Sequence, residues 1–214
     1  MAVGTHAASY DDAVFINCPF DLAYQPLFHA LVFTVQDCGF LARCALEADD
    51  SGEVRIAKIK RIVAECRHGI HDISRTDLDD ATKLPRFNMP LELGLFLGAR
   101  EFGGRKQKLK RMLVLDREHY RYRSYLSDIA GQDIRAHDGD PIRAIRVVRD
   151  WLGNFRTSAD PSIILPGAPK IISRYHEFQA ELPTLCDRLH LELEALQFVE
   201  LRTIVQEWVE AAKL

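Results

Sequence analysis

The first 156 residues of this chain alternate short β-type runs with segments of helical spacing, and this pattern constrains the fold most. The β-type runs lie at 13–19, 40–47, 69–74, 111–116 and 133–137. The helical segments lie at 24–37, 53–66, 88–100, 124–130 and 141–155. Such alternation favours a parallel sheet with helices on both faces. Five strands in about 150 residues favour an α/β fold of the flavodoxin-like type, with strand order 2-1-3-4-5.

The rest of the chain is different in character. Residues 157–170 hold three prolines and a glycine, which is typical of a linker. Residues 171–214 are expected to form a C-terminal helical extension, whose first helix ends before Pro183. Its apolar residues recur at helical spacing: Ile172, Tyr175, Phe178, Leu182, Leu201, Ile204, Val205, Trp208 and Val209. Helices this short need a partner surface, which is either the sheet domain, a second copy of the chain or another protein. We expect a homo-oligomer or a helical partner through this segment.

Composition excludes several classes of protein. Lys and Arg number 28 against 31 Asp and Glu, a net charge of −3, so the chain has no global electrostatic attraction to nucleic acid. No apolar run approaches the roughly 20 residues of a membrane span, and the N-terminus lacks the pattern of a secretion signal. The five cysteines form no Cys-x-x-Cys pair, so we expect reduced thiols and a cytoplasmic location. The eight histidines lack metal-ligand spacing, and no phosphate-loop or nucleophile-elbow motif occurs. We therefore expect no metal and no cofactor.

Ligands of such sheets bind beyond the carboxyl ends of the strands, so the residues there are the candidates. The loop after the first strand is polar and consists of Asn17, Cys18, Pro19, Phe20 and Asp21. It is either a substrate-binding loop or an ordinary turn, in which Asn and Asp occur because they favour turns and Asp21 caps the next helix.

Two acidic residues stand out in otherwise apolar elements. Asp72 lies near the C-terminal end of the third predicted strand, which Ser74 ends, and is either functional or satisfied by loop amides. Glu92 is the only acid in the first turns of an apolar helix that Asn88 is expected to cap. It is either a catalytic carboxylate or a charge that complements the helix N-terminus. After the fourth strand, interleaved Tyr and Arg at 120–123 are followed by Asp128. This run is either a ligand-binding or a solvated loop.

Three motifs occur in a suggestive order: VFINCPFD, GIHDIS and NMPLELGLFLGA. Over residues 13–150 the chain resembles the nucleoside 2-deoxyribosyltransferase-like group and the related Toll/interleukin-1-receptor (TIR) type NAD-cleaving domains. It departs from the transferases at Arg86–Pro90, where they present a small Asp-Gly-Thr motif. The resemblance implies that Glu92 attacks or stabilises the anomeric carbon of a ribosyl unit. It also matches Asp72 to the strand-three aspartate of that group.

The implied activity is cleavage of an N-glycosidic bond in a nucleotide or nucleoside. Because its transition state resembles an oxocarbenium ion, one nearby carboxylate is a sufficient catalyst when the leaving group is already cationic. NAD, as substrate rather than cofactor, is therefore the leading expectation, with nicotinamide and ADP-ribose as products. Asn17 and Asp72 would orient the ribose hydroxyls. A purine leaving group would need a general acid, for which Asp72 or Asp128 is a candidate.

Two alternatives remain at this point. One is nucleoside 2-deoxyribosyl transfer, which shares the first half-reaction with hydrolysis. The other is a non-catalytic module that senses a nucleotide or acts as a scaffold. The resemblance to TIR-type domains further implies oligomerisation and a role in prokaryotic antiviral defence.

Overall fold

A five-stranded parallel sheet forms the centre of the fold, which a computed structural model describes for residues 9–48, 50–78, 83–159 and 164–212. The strands are β1 (Ala13–Asn17), β2 (Leu41–Arg43), β3 (His68–Asp72), β4 (Arg111–Asp116) and β5 (Arg135–Ala136). Their order is β2-β1-β3-β4-β5, and every neighbouring pair is parallel. The predicted fold class and strand order are confirmed.

Helices cover both faces of the sheet. The described residues contain α1 (Gln25–Asp37), α2 (Arg55–Glu65), α3 (Asn88–Phe102), α4 (Pro141–Ala159), α5 (Ala168–Leu189) and α6 (Phe198–Ala211). Alternate side chains of β1 point to opposite faces. Val14 and Ile16 belong to the core that contains α1 and α4, whereas Phe15 packs with α2 and α3. This doubly covered sheet explains why every residue of β1 and β3 is buried.

Some element boundaries differ from the sequence expectation. β1 and β2 are shorter than expected because the chain turns away after Asn17 and after Arg43. The expected helix at 124–130 is replaced by two short 3₁₀ turns, Arg121–Ser124 and Ser127–Ile129. Tyr125 lies between them, and its hydroxyl donates to Asp116 Oδ2 at 2.9 Å. This long-range bond fixes the loop after β4 in a conformation that a continuous helix would not allow.

The prediction that the first C-terminal helix ends before Pro183 is wrong, because α5 continues through this residue to Leu189. A proline inside a helix removes one backbone hydrogen bond. Packing compensates for that loss, since Phe178, Leu182 and Cys186 are all buried on one side of α5. The expected linker at 157–170 is also helical at both ends, since α4 reaches Ala159 and α5 begins at Ala168. Residues 160–163 of that segment lie outside the described residues.

The C-terminal helices pack against α1 of the same chain. Phe33 of α1 has its ring centroid 5.4 Å from those of Tyr175 and Phe178 and 5.8 Å from that of Trp208. A buried ion pair joins Arg174 Nη2 to Asp37 Oδ1 at 2.9 Å. The sheet domain is therefore a surface that covers the apolar stripes of α5 and α6. An oligomer or an external helical partner stays a prediction.

The cysteines and the lengths of the helices bear on the expectations from composition. All five cysteines are free and buried. Among the described residues, no helix combines the length and the apolar character needed to cross a membrane.

Candidate active site

A cleft of about 490 Å³ opens at the carboxyl edge of the sheet, between the β1–α1 loop, the segment after β3 and the starts of α2 and α3. This is the switch point of the 2-1-3-4-5 order, where the connections from β1 and β3 diverge to opposite faces. Six residues proposed from the sequence line it: Cys18, Pro19, Phe20, Asp21, Asn88 and Glu92. Six others line it as well: Arg55, Arg75, Asp77, Leu78, Arg86 and Met89.

Glu92 is the buried carboxylate of this cleft. It is only 5% exposed, and within the described chain its carboxylate accepts no hydrogen bond. Its nearest cation is Arg55, whose Nη2 lies 4.0 Å from Glu92 Oε1. Burial raises the pKa of Glu92 to about 7, and Arg55 offsets only part of that effect. The carboxylate is therefore largely desolvated, and the described residues supply none of the hydrogen bonds that normally compensate a buried charge.

The structure does not support a role for Asn88 or Glu92 at the N-terminal end of α3. The N-cap of α3 is Phe87 rather than Asn88, and no side chain caps the helix. The first turn of α3 contains no acidic residue, so Glu92 lies too far along the helix for a capping box. The prediction that Asn88 caps the helix is wrong, although Asn88 does line the cleft. The burial of Glu92 is thus not explained by a role in helix termination.

Asn17 positions α3 from behind the cleft. Its side-chain amide donates to Met89 O at 2.9 Å and contacts His71 Nδ1 at 3.1 Å. Asn17 and His71 are register partners in β1 and β3, so the amide joins both strands to the first turn of α3. Because Asn17 is buried and outside the cleft lining, its observed contacts fix the position of the helix that carries Glu92.

Asp72 has no exposed surface and does not line the cleft. The Tyr24 hydroxyl and the Ser74 backbone N–H donate to its carboxylate, the latter at 2.8 Å. His137 Nε2 lies 2.9 Å from Asp72 Oδ2. The other ring nitrogen, Nδ1, accepts from the Gly139 N–H at 2.9 Å, so in a neutral ring Nε2 carries the proton.

These partners also determine the ionisation of Asp72. Burial acts to raise the pKa of its carboxyl, but the contacts with His137, Ser74 and Tyr24 outweigh it and the pKa is lowered. Asp72 is therefore a satisfied, ionised carboxylate that joins the end of β3 to the start of α1 and the end of β5. Asn17, Asp72 and Glu92 do meet at one edge of the sheet, but only Glu92 faces the cleft.

Asp21 and Arg75 form one wall of the cleft. Arg75 donates through Nη2 and Nε to the two carboxylate oxygens of Asp21, at 2.6 and 3.2 Å. Asp21 Oδ1 also accepts from the Tyr24 N–H at 3.1 Å. Burial acts to raise the pKa of Asp21, but Arg75 outweighs it, and the pKa is lowered. Because Tyr24 itself is the N-cap residue of α1, Asp21 orders the loop before the helix rather than capping it.

The remaining proposed residues lie elsewhere. Ser74 is buried and does not line the cleft; its carbonyl accepts from Arg121 Nη2 at 2.6 Å. Asp128 is exposed in the 3₁₀ turn Ser127–Ile129, away from the cleft lining. Of the interleaved Tyr and Arg residues, Tyr120 and Arg123 are exposed, whereas Tyr122 is buried and Arg121 donates to buried Asp116 at 2.6 and 2.9 Å. Arg121 thus anchors the loop after β4 to the loop after β3.

Sequence reasoning missed the arginines of the cleft, Arg55, Arg75 and Arg86. Arg55 is the first residue of α2, which begins on the same edge as the proposed strand-one loop. The rule that loops after parallel strands line the site could have selected it. Arg75 directly follows the predicted third strand, so the same rule applies to it. The lining therefore combines three arginines with three acidic residues, Asp21, Asp77 and Glu92.

Comparisons of the chain with protein-family models, curated proteins and solved structures give no match. No group of three or more His, Cys, Asp or Glu side chains within the described ranges could hold a metal ion. The fold and the cleft define the class of protein. It is a doubly wound parallel α/β protein with a desolvated carboxylate and several arginines at its switch point.

Proposed function

We propose that the protein cleaves the N-glycosidic bond of a nucleotide, with NAD as the leading substrate. The observation that carries the proposal is the state of Glu92, a carboxylate in the cleft that is buried and accepts no hydrogen bond within the described chain. Burying such a group costs free energy, and a cation placed beside it recovers that cost. A glycosidic substrate supplies a cation at this position, because positive charge develops on the ribosyl ring as the bond breaks.

The chemical step needs little besides this carboxylate when the base is nicotinamide. The bond between C1′ and the pyridinium nitrogen breaks, and its electron pair stays on the nitrogen, which thereby loses its positive charge. C1′ then bonds either to Glu92 or to a water oxygen. In the first case water releases the ester, and in the second case the water proton passes to Glu92 or to solvent. No general acid is required, which agrees with the enclosed position of Asp72.

The guanidinium groups supply the binding part of the proposal. Arg55 lines the cleft 4.0 Å from Glu92, and Arg75 is held by Asp21 on another wall. Arginine binds phosphate oxygens through several N–H groups at once, which fixes the orientation of a nucleotide. Met89 and Phe20 add apolar surface to the same lining. A nucleotide that is held by its phosphate would present its ribose to the carboxylate of Glu92.

The decisive experiment is base release from NAD and from deoxynucleosides by the wild type and by Glu92→Gln. Gln keeps the shape of the side chain but removes the negative charge, so we expect kcat for NAD to fall by a factor of about 10² or more. Glu101→Gln is the matched control, since Glu101 is an exposed glutamate of the same helix. It should leave the rate within about twofold. An active wild type with an equally active Glu92→Gln variant would refute the catalytic role. Base exchange between deoxynucleosides would indicate the transferase, and nucleotide binding without turnover would indicate the sensor.

The pH profile tests the ionisation that the mechanism requires. Because Glu92 must be ionised and its pKa in the free protein is raised to about 7, kcat/KM for NAD should rise as pH increases through about 7. A general acid of the same pKa would give the opposite slope, with activity lost as pH rises. A falling profile would therefore reject Glu92 as the group that stabilises the cation.

A further inference from the structure

A second cleft of about 490 Å³ borders the first. Phe20, Asp21 and Arg55 line both, so the two clefts are parts of one continuous groove. The far wall of the second cleft belongs to the C-terminal extension, through residues 194–198 at the start of α6. Besides the shared residues, the lining includes Leu22, Phe28, Leu46, Lys58 and Glu194.

The junction between the clefts carries an aromatic ring. Phe20 is 37% exposed, although it is a large apolar residue, and its ring packs edge-on against Phe28 with centroids 5.4 Å apart. That contact fixes the ring while part of its surface stays open. Exposed Leu22 and Leu46 add apolar surface to the second cleft. A planar base stacks favourably on such a ring, and the apolar surface covers its edges.

Two cationic side chains also lie at this junction. Arg55 and Lys58 are three residues apart on α2 and therefore lie on the same side of the helix. Arg55 lines both clefts, and Lys58 lines the second, where its Nζ donates to Ala48 O. The acidic residue at the junction, Asp21, is neutralised by Arg75. Arg55 thus places a guanidinium group where the two clefts meet, between Glu92 of the first cleft and Glu194 of the second.

We infer that the second cleft binds the uncleaved nucleotide half of a dinucleotide, with the diphosphate at Arg55 and Lys58 and the base against Phe20. The inference rests on the proposed function for the other half, whose ribosyl carbon lies at Glu92. It assigns the C-terminal extension a part in substrate binding, because residues 194–198 complete the second cleft. It also makes the substrate class dinucleotides rather than free nucleosides.

Binding of ADP to the full chain, measured by calorimetry, tests the second cleft without any need for catalysis. Ala195→Trp fills the cleft and should weaken ADP binding at least about tenfold. Ala211→Trp places the same ring at an exposed site outside the cleft and should have no effect. Lys58→Ala and the exposed Lys60→Ala form a second matched pair on α2. Thermal melts confirm that each variant is folded. No ADP binding to the wild type, or equal binding by all four variants, would overturn the inference.

Kinetics separate this inference from the proposed function. With NAD as substrate, Ala195→Trp should raise KM at least about tenfold, whereas with nicotinamide mononucleotide kcat/KM should stay within about twofold. An equal effect on both substrates would show that the second cleft does not hold the adenylate half. If the wild type cleaves neither substrate, the proposed function fails, and the ADP measurement still decides whether the second cleft binds a nucleotide.

Discussion

Among the buried carboxylates at the carboxyl edge of the sheet, Asp72 and Glu92 have surroundings that differ in almost every respect. Asp72 is in contact with a tyrosine hydroxyl, a histidine ring and a backbone N–H, and its pKa is lowered. Glu92 accepts no hydrogen bond within the described chain, and its pKa is raised to about 7. The protein therefore stabilises the charge of Asp72 with its own groups, and the described residues give Glu92 no such hydrogen bonds. Burial alone does not distinguish these two carboxylates; the state of their hydrogen bonds does.

The largest expected effect is on stability at Asp72. Asp72→Ala removes the buried acceptor of the Tyr24 hydroxyl and the Ser74 N–H and the close contact with His137 Nε2, so we expect a loss of about 3–5 kcal/mol in the free energy of unfolding. Urea denaturation at pH 7 measures it. Asp128→Ala, at an exposed site, is the control and should change stability by less than about 0.5 kcal/mol. A loss below about 1 kcal/mol for Asp72→Ala would show that the contacts of Asp72 do not stabilise the fold, and the contrast with Glu92 would then fail. Since the pKa of Asp72 is lowered, its contribution is present above its ordinary value of 3.8 and is lost as pH falls below it.

For Glu92 we expect the opposite dependence of stability on pH. Its pKa rises from 4.5 in the unfolded chain to about 7, so the protein loses stability as pH increases between these values. Glu92→Gln removes that loss, and at pH 8 the variant should be more stable than the wild type by about 1–3 kcal/mol. The gain should vanish at pH 4, where the glutamate is protonated in both states. Denaturation at the two pH values checks this, and a variant that is less stable at pH 8 would show that the charge of Glu92 is satisfied.

The smallest expected effect is the loss of stability when one hydrogen-bond donor to Asp72 is removed. Tyr24→Phe removes one hydroxyl donor and keeps the ring in place, so we expect a loss of about 1–2 kcal/mol. Asp72 retains its contacts with His137 and Ser74, which explains why the cost is below that of losing the carboxylate. Urea denaturation beside Tyr120→Phe, an exposed tyrosine, is the measurement. If both variants lost the same free energy of unfolding, the Tyr24 hydroxyl would not be a stabilising partner of Asp72.

The sequence was sufficient to predict the parallel sheet and its strand order, because the alternation of strand and helix patterns is local and regular. It was also sufficient to select Glu92, a single acid in an apolar stretch of helix, as a residue that lines the cleft, and its catalytic role stays a prediction. It was insufficient for Asp72, since its partners Tyr24 and His137 come from distant parts of the chain. Pro183 shows the same limit, because the local preference to end a helix is overridden by packing that only the folded chain provides.

The enclosed position of α1 has a consequence for how the chain is made. Most of this helix is buried, from Leu27 to Asp37, and part of its cover is α6, which is the last helix described. A ribosome that adds roughly 5–20 residues per second releases α6 some 10–35 seconds after α1. During that interval the part of α1 that α6 covers lacks its native partner, and it is a natural binding surface for chaperones that act on nascent chains.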